Sequence, residues 1–161
     1  MTVDALEREN AVKAALEKKF PGKVSDIRIA RARRIFSKIS GADAPVVLAF
    51  LKDELGFDHL STITGLDEGE TFAAMYHLVS GGVLMSLRAT VPSAAPVLQT
   101  ATGLFPGCED FERELVDLLG FRIEGLKEGR RYPLPDDWPA GQYPLRKSWK
   151  GLASESCGEG K

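Results

Sequence analysis

The stretch TFAAMYHLVSGGVLMSLRATVP, residues 71–92, decides the fold of this chain. Gly81-Gly82 in its middle predicts a two-residue hairpin turn, because glycine readily adopts the positive φ angles that such turns require. With that turn, four apolar pairs face each other: Leu78 with Met85, Tyr76 with Leu87, Ala74 with Ala89, and Phe72 with Val91. A shift of one residue would mix apolar and polar side chains on both faces, so this register is a specific prediction.

The other face of the same hairpin is more polar, with His77 opposite Ser86 and Met75 opposite Arg88. An earlier alternating segment extends the pattern, so residues 57–91 predict a three-stranded antiparallel meander. Its first turn falls near Gly69. The alternation leaves the register of that first hairpin open.

Helices are predicted before the meander. An Asp4/Glu7 capping box and an apolar stripe predict a helix over residues 5–19. Asp43 is suited to begin a second helix and Gly56 to end it. Between these helices, residues 27–39 alternate in the manner of strands.

Helices are predicted after the meander as well, a short one around residues 94–101 and a longer one over 105–120. In the longer one, apolar residues recur at i, i+4, i+7 and i+8 from Phe111, which is helical spacing. The predicted fold class is therefore α+β: an antiparallel meander sheet packed with helices in residues 1–125, followed by an extended carboxy-terminal arm.

Composition narrows the function. The 161 residues hold 21 Lys and Arg against 23 Asp and Glu, a formal charge of −2, which argues against a generally basic nucleic-acid binder. Two cysteines, Cys108 and Cys157, exclude a four-thiolate cluster and a disulfide framework. No stretch has the roughly 18 apolar residues of a membrane helix, and the first residues lack the apolar core of a signal peptide. We expect a soluble, cytoplasmic protein.

No set of residues predicts catalysis. His59 and His77 lack a third metal ligand, so we interpret them as ordinary surface or interface histidines. Cys108 begins a helix, where a thiol becomes more acidic, but it has no Cys or His partner in sequence. Glu112 and Glu114 point about 200° apart around their helix and cannot flank one substrate bond.

Two charged patterns have structural interpretations. Arg113 and Asp117, at i and i+4, are expected to form an ion pair. The RARR run at residues 31–34 is either a patch for a phosphate or an acidic partner or an edge segment that charge keeps soluble. We expect the edge segment.

The arm, LKEGRRYPLPDDWPAGQYPLRKSWK at residues 126–150, contains both tryptophans and two of the three tyrosines. Gly and Pro interrupt every periodicity, and the rings alone bury too little area to order so long a segment. We therefore predict that the arm folds along a partner; the alternative is that it packs back on its own domain. A single-stranded nucleic-acid platform is disfavoured by Asp136-Asp137 and the prolines. Residues 151–161 are predicted to be a disordered tail.

Two segments, FERELVDLLGFRIEG at residues 111–125 and RRYPLPDDWPAGQYPLRK at residues 130–147, carry a family resemblance. The sequence resembles the 30-kDa subunit family of respiratory complex I and related membrane-bound [NiFe] hydrogenases. The matching positions are Glu112, Arg113, Glu114, Asp117, Gly120, Arg130, Arg131, Pro144, Leu145, Arg146 and Lys147.

The sequence departs from the complex I members of this family at two places. It has Leu126-Lys127 after Gly125, where they usually have His-Pro, and Ser148 where they usually have Asp. The Asp-Asp-Trp-Pro…Tyr-Pro-Leu-Arg-Lys run looks more like the hydrogenase branch, which includes formate hydrogenlyase and Ech-type enzymes.

The resemblance implies a non-catalytic accessory subunit of a peripheral arm, without a cofactor of its own. Its implied partners are the large subunit, which holds the nickel–iron centre or helps form the quinone site, and a neighbouring iron–sulfur subunit. No nucleic acid is implied, and the chain would meet the cytoplasmic face of the membrane only through the complex. The residues expected to bind the partner are Arg130, Arg131, Tyr132, Trp138, Tyr143, Pro144, Leu145, Arg146, Lys147 and Trp149.

Two alternatives remain open. One is the 30-kDa subunit of an oxidoreductase that passes electrons from NADH or another donor to quinone. The other is a stand-alone module that binds an acidic ligand through the polar sheet face and the RARR run.

Overall fold

The computed structural model describes residues 6–152. In these residues it contains the helices α1 (Glu7–Lys19), α2 (Ala44–Asp53) and α3 (Glu109–Leu119). The strands are β1 (Ser25–Arg31), β2 (Arg34–Ser40), β3 (His59–Asp67), β4 (Thr71–Ser80), β5 (Val83–Pro92), β6 (Val97–Gln99) and β7 (Arg122–Glu124). The predicted α+β fold class is confirmed.

The β4–β5 hairpin has the register that the sequence predicts. Leu78 pairs with Met85 and Tyr76 with Leu87, and the pairing continues to the ends of both strands. Gly81 and Gly82 form the turn with φ angles of 53° and 78°. These positive angles explain why glycine occupies both positions.

Strands β1 to β5 form one sheet in the order β1-β2-β5-β4-β3. Strand β2 runs parallel to β5, and the other neighbours are antiparallel. The first hairpin of the meander, whose register the sequence leaves open, pairs Ile63 with Tyr76 and Gly65 with Ala74. The RARR run lies at the sheet edge, where Arg31 ends β1 and Arg34 begins β2.

The helices cover one face of this sheet. Its buried residues, such as Ile35, Tyr76 and Leu87, form a single apolar core with Leu16 of α1 and Leu51 of α2. On the edge strand β3, α3 comes so close that a Cβ at Gly65 would lie 2.4 Å from Leu119 Cδ1. Glycine at this position therefore allows the helix to pack directly on the strand.

The predicted helix over residues 94–101 is wrong. Residues Val97–Gln99 form β6, which pairs in parallel with β7. Pro96 would deprive a helix at this place of a hydrogen bond, whereas the extended backbone buries Leu98 in the core. The partner strand lies some 25 residues later, so no local pattern reveals the pairing.

The other predicted helices are present with narrower bounds. Helix α1 begins after Leu6, and Asp4 of the expected capping box lies outside the described residues. Gly120 ends α3 with a left-handed φ of 77°. The arm forms neither helix nor strand from Leu126 onward, and most of the predicted disordered tail, residues 153–161, also lies outside the described residues.

Candidate docking surface of helix α3 and the arm

Helix α3 packs one side on the sheet and offers the other to the arm. Leu115 and Leu119 are buried against the body. Gly120, just past the helix end, is needed for its positive φ and for space, since a Cβ there would lie 2.5 Å from the Arg146 guanidinium. The helix end is thus built around an arm residue.

Glu112 is a buried carboxyl on the body side of α3. It accepts hydrogen bonds of 2.6 Å from the Ala101 amide and from the Thr100 hydroxyl. Burial raises the pKa of Glu112, although these bonds act in the opposite direction. This carboxyl fixes the loop after β6 against α3, and it is closed off from any substrate.

The other reactive side chains do not assemble a site. Burial and the nearby Glu112 raise the pKa of the Cys108 thiol to about 12, so it carries little thiolate at neutral pH. His77 lies on the polar sheet face, 3.0 Å from the Ser86 hydroxyl, and burial lowers its pKa. Within residues 6–152, no three His, Cys, Asp or Glu side chains are placed to hold a metal ion.

The predicted ion pair between Arg113 and Asp117 is wrong. Arg113 instead contacts Glu109 at 2.6 Å, one turn earlier, and donates to the Lys127 carbonyl at 2.9 Å. Glu before Arg at i and i+4 is the more favourable orientation on a helix. Asp117 is left for the arm, where Arg131 binds it.

Arg131 connects the arm to α3. Its Nε donates to Asp117 Oδ1 at 3.0 Å, and its other end donates to the Trp138 carbonyl at 2.6 Å. The second Asp117 oxygen accepts from the Leu134 amide at 3.3 Å. Between helix and arm remains an open cavity of about 250 Å³ with Arg130 and Tyr132 on its wall.

Arg146 makes the second connection. Its Nε donates to the Leu119 carbonyl at 2.7 Å, satisfying a helix end. Its guanidinium carbon lies 4.3 Å from the Tyr143 ring centroid and 5.1 Å from that of Phe72. One residue earlier, the Leu145 amide donates to the Leu118 carbonyl at 3.0 Å.

The two tryptophans pair with each other. The ring centroids of Trp138 and Trp149 are 6.2 Å apart, and both side chains are half-buried. Gln142 accepts from both indole nitrogens, through its carbonyl at 2.9 Å and its side-chain oxygen at 3.2 Å. The pair is ordered within the arm and still reaches the surface.

Other arm residues face outward. Leu145 is 56% exposed, unusual for a large apolar side chain, and borders a cavity of about 210 Å³ with Glu114 and β3. Arg130 and Lys147 are exposed, while Tyr132 and Pro144 are half-buried. The Lys147 amide donates to Asp67 at 2.8 Å, one of two backbone bonds, after that of Gly69, that lower the pKa of Asp67.

The sequence does not reveal the body residues that receive the arm. Its patterns place Asp67 and Phe72 only within the meander, and they do not single out Gln142. Only the Glu109–Arg113 contact has a local signal, the i and i+4 spacing. The expectation that a partner shapes the arm did not include these contacts with its own body.

The arrangement offers no group placed to transfer a proton, electron or acyl group. It offers an irregular ribbon, held by two arginines on a helix, with apolar and cationic side chains on its outer side. Aromatic and arginine side chains of this kind are typical of protein interfaces. No helix in residues 6–152 is both long and apolar enough to cross a bilayer.

Comparison with known proteins identifies related chains. The family model described as respiratory-chain NADH dehydrogenase, 30 Kd subunit, matches residues 37–155. One of the subunits of the F(420)H(2) dehydrogenase of Methanosarcina mazei is 30% identical over 147 residues, which cover 89% of this chain and 92% of that protein. The beta subunit of the membrane-bound hydrogenase of Pyrococcus furiosus is 31% identical over 127 residues, covering 76% and 73% respectively.

A solved structure supports the same relationship. A chain of the membrane-bound sulfane sulfur reductase, an archaeal respiratory membrane complex, matches with a TM-score of 0.76 at 26% identity. The match covers 89% of this chain and 86% of that one, so it includes most of the arm as well as the sheet. The relatives are subunits of multi-subunit membrane complexes.

Proposed function

Since this chain belongs to the 30-kDa subunit family of respiratory-chain NADH dehydrogenase, we propose that it is an accessory subunit of a complex I-like, energy-converting membrane-bound [NiFe] hydrogenase. It performs no reaction by itself and binds no cofactor. It docks on the large subunit, beside an iron–sulfur subunit, at the cytoplasmic face of the membrane. The observation that carries this proposal is the outward side of the arm, on a chain similar to a hydrogenase subunit over most of its length.

The arm residues divide into two roles in this proposal. Arg131 and Arg146 position the arm, because their guanidinium groups are used on α3. Leu145, Lys147 and Arg130 reach the large subunit, together with the outer edges of Tyr132, Tyr143, Pro144 and the two indoles. A half-ordered ribbon costs less conformational entropy on binding than a fully disordered one, which favours tight docking.

The direct test is purification of a tagged full-length chain from native membranes in mild detergent, followed by mass spectrometry of the intact complex. We expect a large subunit and an iron–sulfur subunit to accompany the chain, and nickel to be present in the same fraction. Recovery of the chain alone would overturn the proposal.

A substitution tests the docking surface. Leu145→Asp places a charge on an exposed apolar residue, so it should release the chain from the complex without unfolding it. Val46→Asp is the matched control, because Val46 is 51% exposed on α2, away from the arm. Equal retention of both variants in the complex would remove Leu145 from the interface.

One alternative has support of its own. The similarity to the F(420)H(2) dehydrogenase subunit extends over 92% of that protein, which favours the 30-kDa subunit of a donor:quinone oxidoreductase. The nickel measurement separates the two, since the second assembly would contain a large subunit and iron–sulfur subunits but no nickel.

A further inference from the structure

The sheet has a face that no helix of residues 6–152 covers. Alternation along the strands places Arg28, Arg34, Phe36, Lys38, Met75 and Arg88 on this face, which we call the open face. The three helices and the arm pack on the opposite face or beyond its edge. An uncovered sheet face with large half-buried side chains needs an explanation.

The open face is locally cationic in a chain whose formal charge is −2. Two of its four cations have carboxylate partners: Lys38 contacts Asp26 at 2.8 Å, and Arg88 contacts Glu68. Arg28 and Arg34 have no carboxylate within 4.0 Å among the described residues. The face therefore retains two uncompensated positive charges, which attract an acidic surface.

The open face is also apolar in part. The Arg28 guanidinium carbon lies 5.3 Å from the Phe36 ring centroid, and both Phe36 and Met75 are half-buried. Arginine with aromatic and methionine side chains is the composition of a protein–protein interface. A nucleic acid would find one ring to stack on and two carboxylates to repel it, so protein is the favoured occupant.

A cavity of about 180 Å³ opens at the centre of this face, lined by Arg28, Phe36, Lys38, Met75 and Arg88. A cavity of about 150 Å³ holds a benzene ring, so this one is large enough for a single side chain. Nε of Arg88 has no acceptor among the described residues. The guanidinium can therefore turn toward an incoming carboxylate at little cost in existing hydrogen bonds.

We propose that the open face is a second docking surface, which receives an acidic segment of a neighbouring subunit. One carboxylate of that segment enters the cavity between Arg28 and Arg88, and its apolar neighbours cover Phe36 and Met75. This inference rests on the proposed function and deepens it, because it places the chain between two subunits: the large subunit on the arm and an acidic one on the sheet.

Zero-length carbodiimide cross-linking of the purified intact complex tests the proposal, since it joins an amine only to a carboxylate in direct contact. We expect Lys38 to be linked to an Asp or Glu of another subunit. A link from Lys38 to Asp26 alone, in a complex that retains its large subunit, overturns this inference and leaves the function standing. Absence of any large subunit overturns the function, and this inference with it.

A pair of double variants gives the matched control. Arg28→Ser with Lys38→Ser removes two cations from the open face, and Lys18→Ser with Arg122→Ser removes two exposed cations elsewhere. Native mass spectrometry at increasing salt should show the acidic neighbour bound on the order of tenfold more weakly in the first variant only. Equal retention by both, or a loss confined to binding of phosphatidylglycerol vesicles, would overturn the proposal. Urea midpoints confirm that both variants fold.

Discussion

The β4–β5 hairpin and the arm are held in place by opposite means. Ten consecutive residue pairs join the hairpin, and one of its faces is buried throughout. The arm has no such repetition: single contacts tie Arg131 to Asp117, Arg146 to Leu119, and Lys147 to a residue 80 positions earlier. The hairpin therefore belongs to the stability of the body, whereas the arm is positioned for contact with something else.

The same substitution in both regions should separate stability from assembly. Leu87→Ala removes a fully buried side chain and should lower the free energy of unfolding by about 2–5 kcal/mol. Leu145→Ala removes an exposed side chain and should change that free energy by less than about 0.5 kcal/mol, while weakening retention in the complex. Urea denaturation measures the first quantity and native mass spectrometry the second.

The comparison would fail if Leu145→Ala destabilised the isolated chain as much as Leu87→Ala does. In that case the arm would be part of the body's core. An unchanged complex with Leu145→Ala would instead remove this residue from the docking surface while leaving the hairpin's role intact.

The hairpin was predictable because its information is local and periodic. Gly81-Gly82 fixes the turn, and a slip of one residue would bury polar side chains such as His77 and Arg88. The helix stripes were readable for the same reason. The β6–β7 pair was not, since a parallel pairing between three-residue strands leaves no repeating pattern.

The geometry of the arm was beyond local pattern. Its family motif named Arg131 and Arg146 correctly as a pair of interest, but spacing could not tell whether they bind a neighbour or their own helix. The carboxylate of Asp117 and the carbonyl of Leu119 receive them from 14 and 27 residues away. Contacts of this kind depend on tertiary structure that already exists, and only the structure shows them.

Asp117→Asn should weaken the connection between arm and helix. The variant keeps the shape but loses the charge, and its amide group turns a donor toward Arg131 or the Leu134 amide. We expect a loss of about 1–3 kcal/mol, with increased solvent exposure of Trp138, whose carbonyl Arg131 also binds. Urea denaturation followed by tryptophan fluorescence measures both.

Asp137→Asn is the control for this prediction, because Asp137 is an exposed arm carboxylate. It should leave stability and fluorescence unchanged. Equal effects of the two variants would mean that charge in the arm, rather than the Asp117–Arg131 contact, orders it.

Arg146→Lys keeps the charge but removes the planar group that bonds the Leu119 carbonyl and lies over Tyr143. We expect a loss of about 1 kcal/mol and faster hydrogen exchange at the Leu145 amide, which bonds to α3 beside it. Arg130→Lys, at an exposed position, should do neither. Unchanged exchange at Leu145 would show that the arm is held on α3 without Arg146.

Glu112→Gln should give the smallest effect and a distinctive dependence on pH. Burial raises the pKa of Glu112 in the folded chain above its ordinary value of 4.5. Between these two values the folded chain retains a proton that the unfolded chain has released. The contribution of this carboxyl is therefore fully present below pH 4.5 and is lost as the pH rises through the folded-state pKa.

Glutamine does not titrate, so the stability of the unmodified chain relative to Glu112→Gln should be greatest near about pH 4 and decline toward neutral pH. Urea denaturation across that range measures the difference. A decline would show that the body side of α3 tolerates its buried carboxyl, held by Ala101 and Thr100, best when it is neutral. A difference that grew with pH would mean that these hydrogen bonds outweigh burial, so that Glu112 stabilises the body as a charged brace, as Asp117 does the arm.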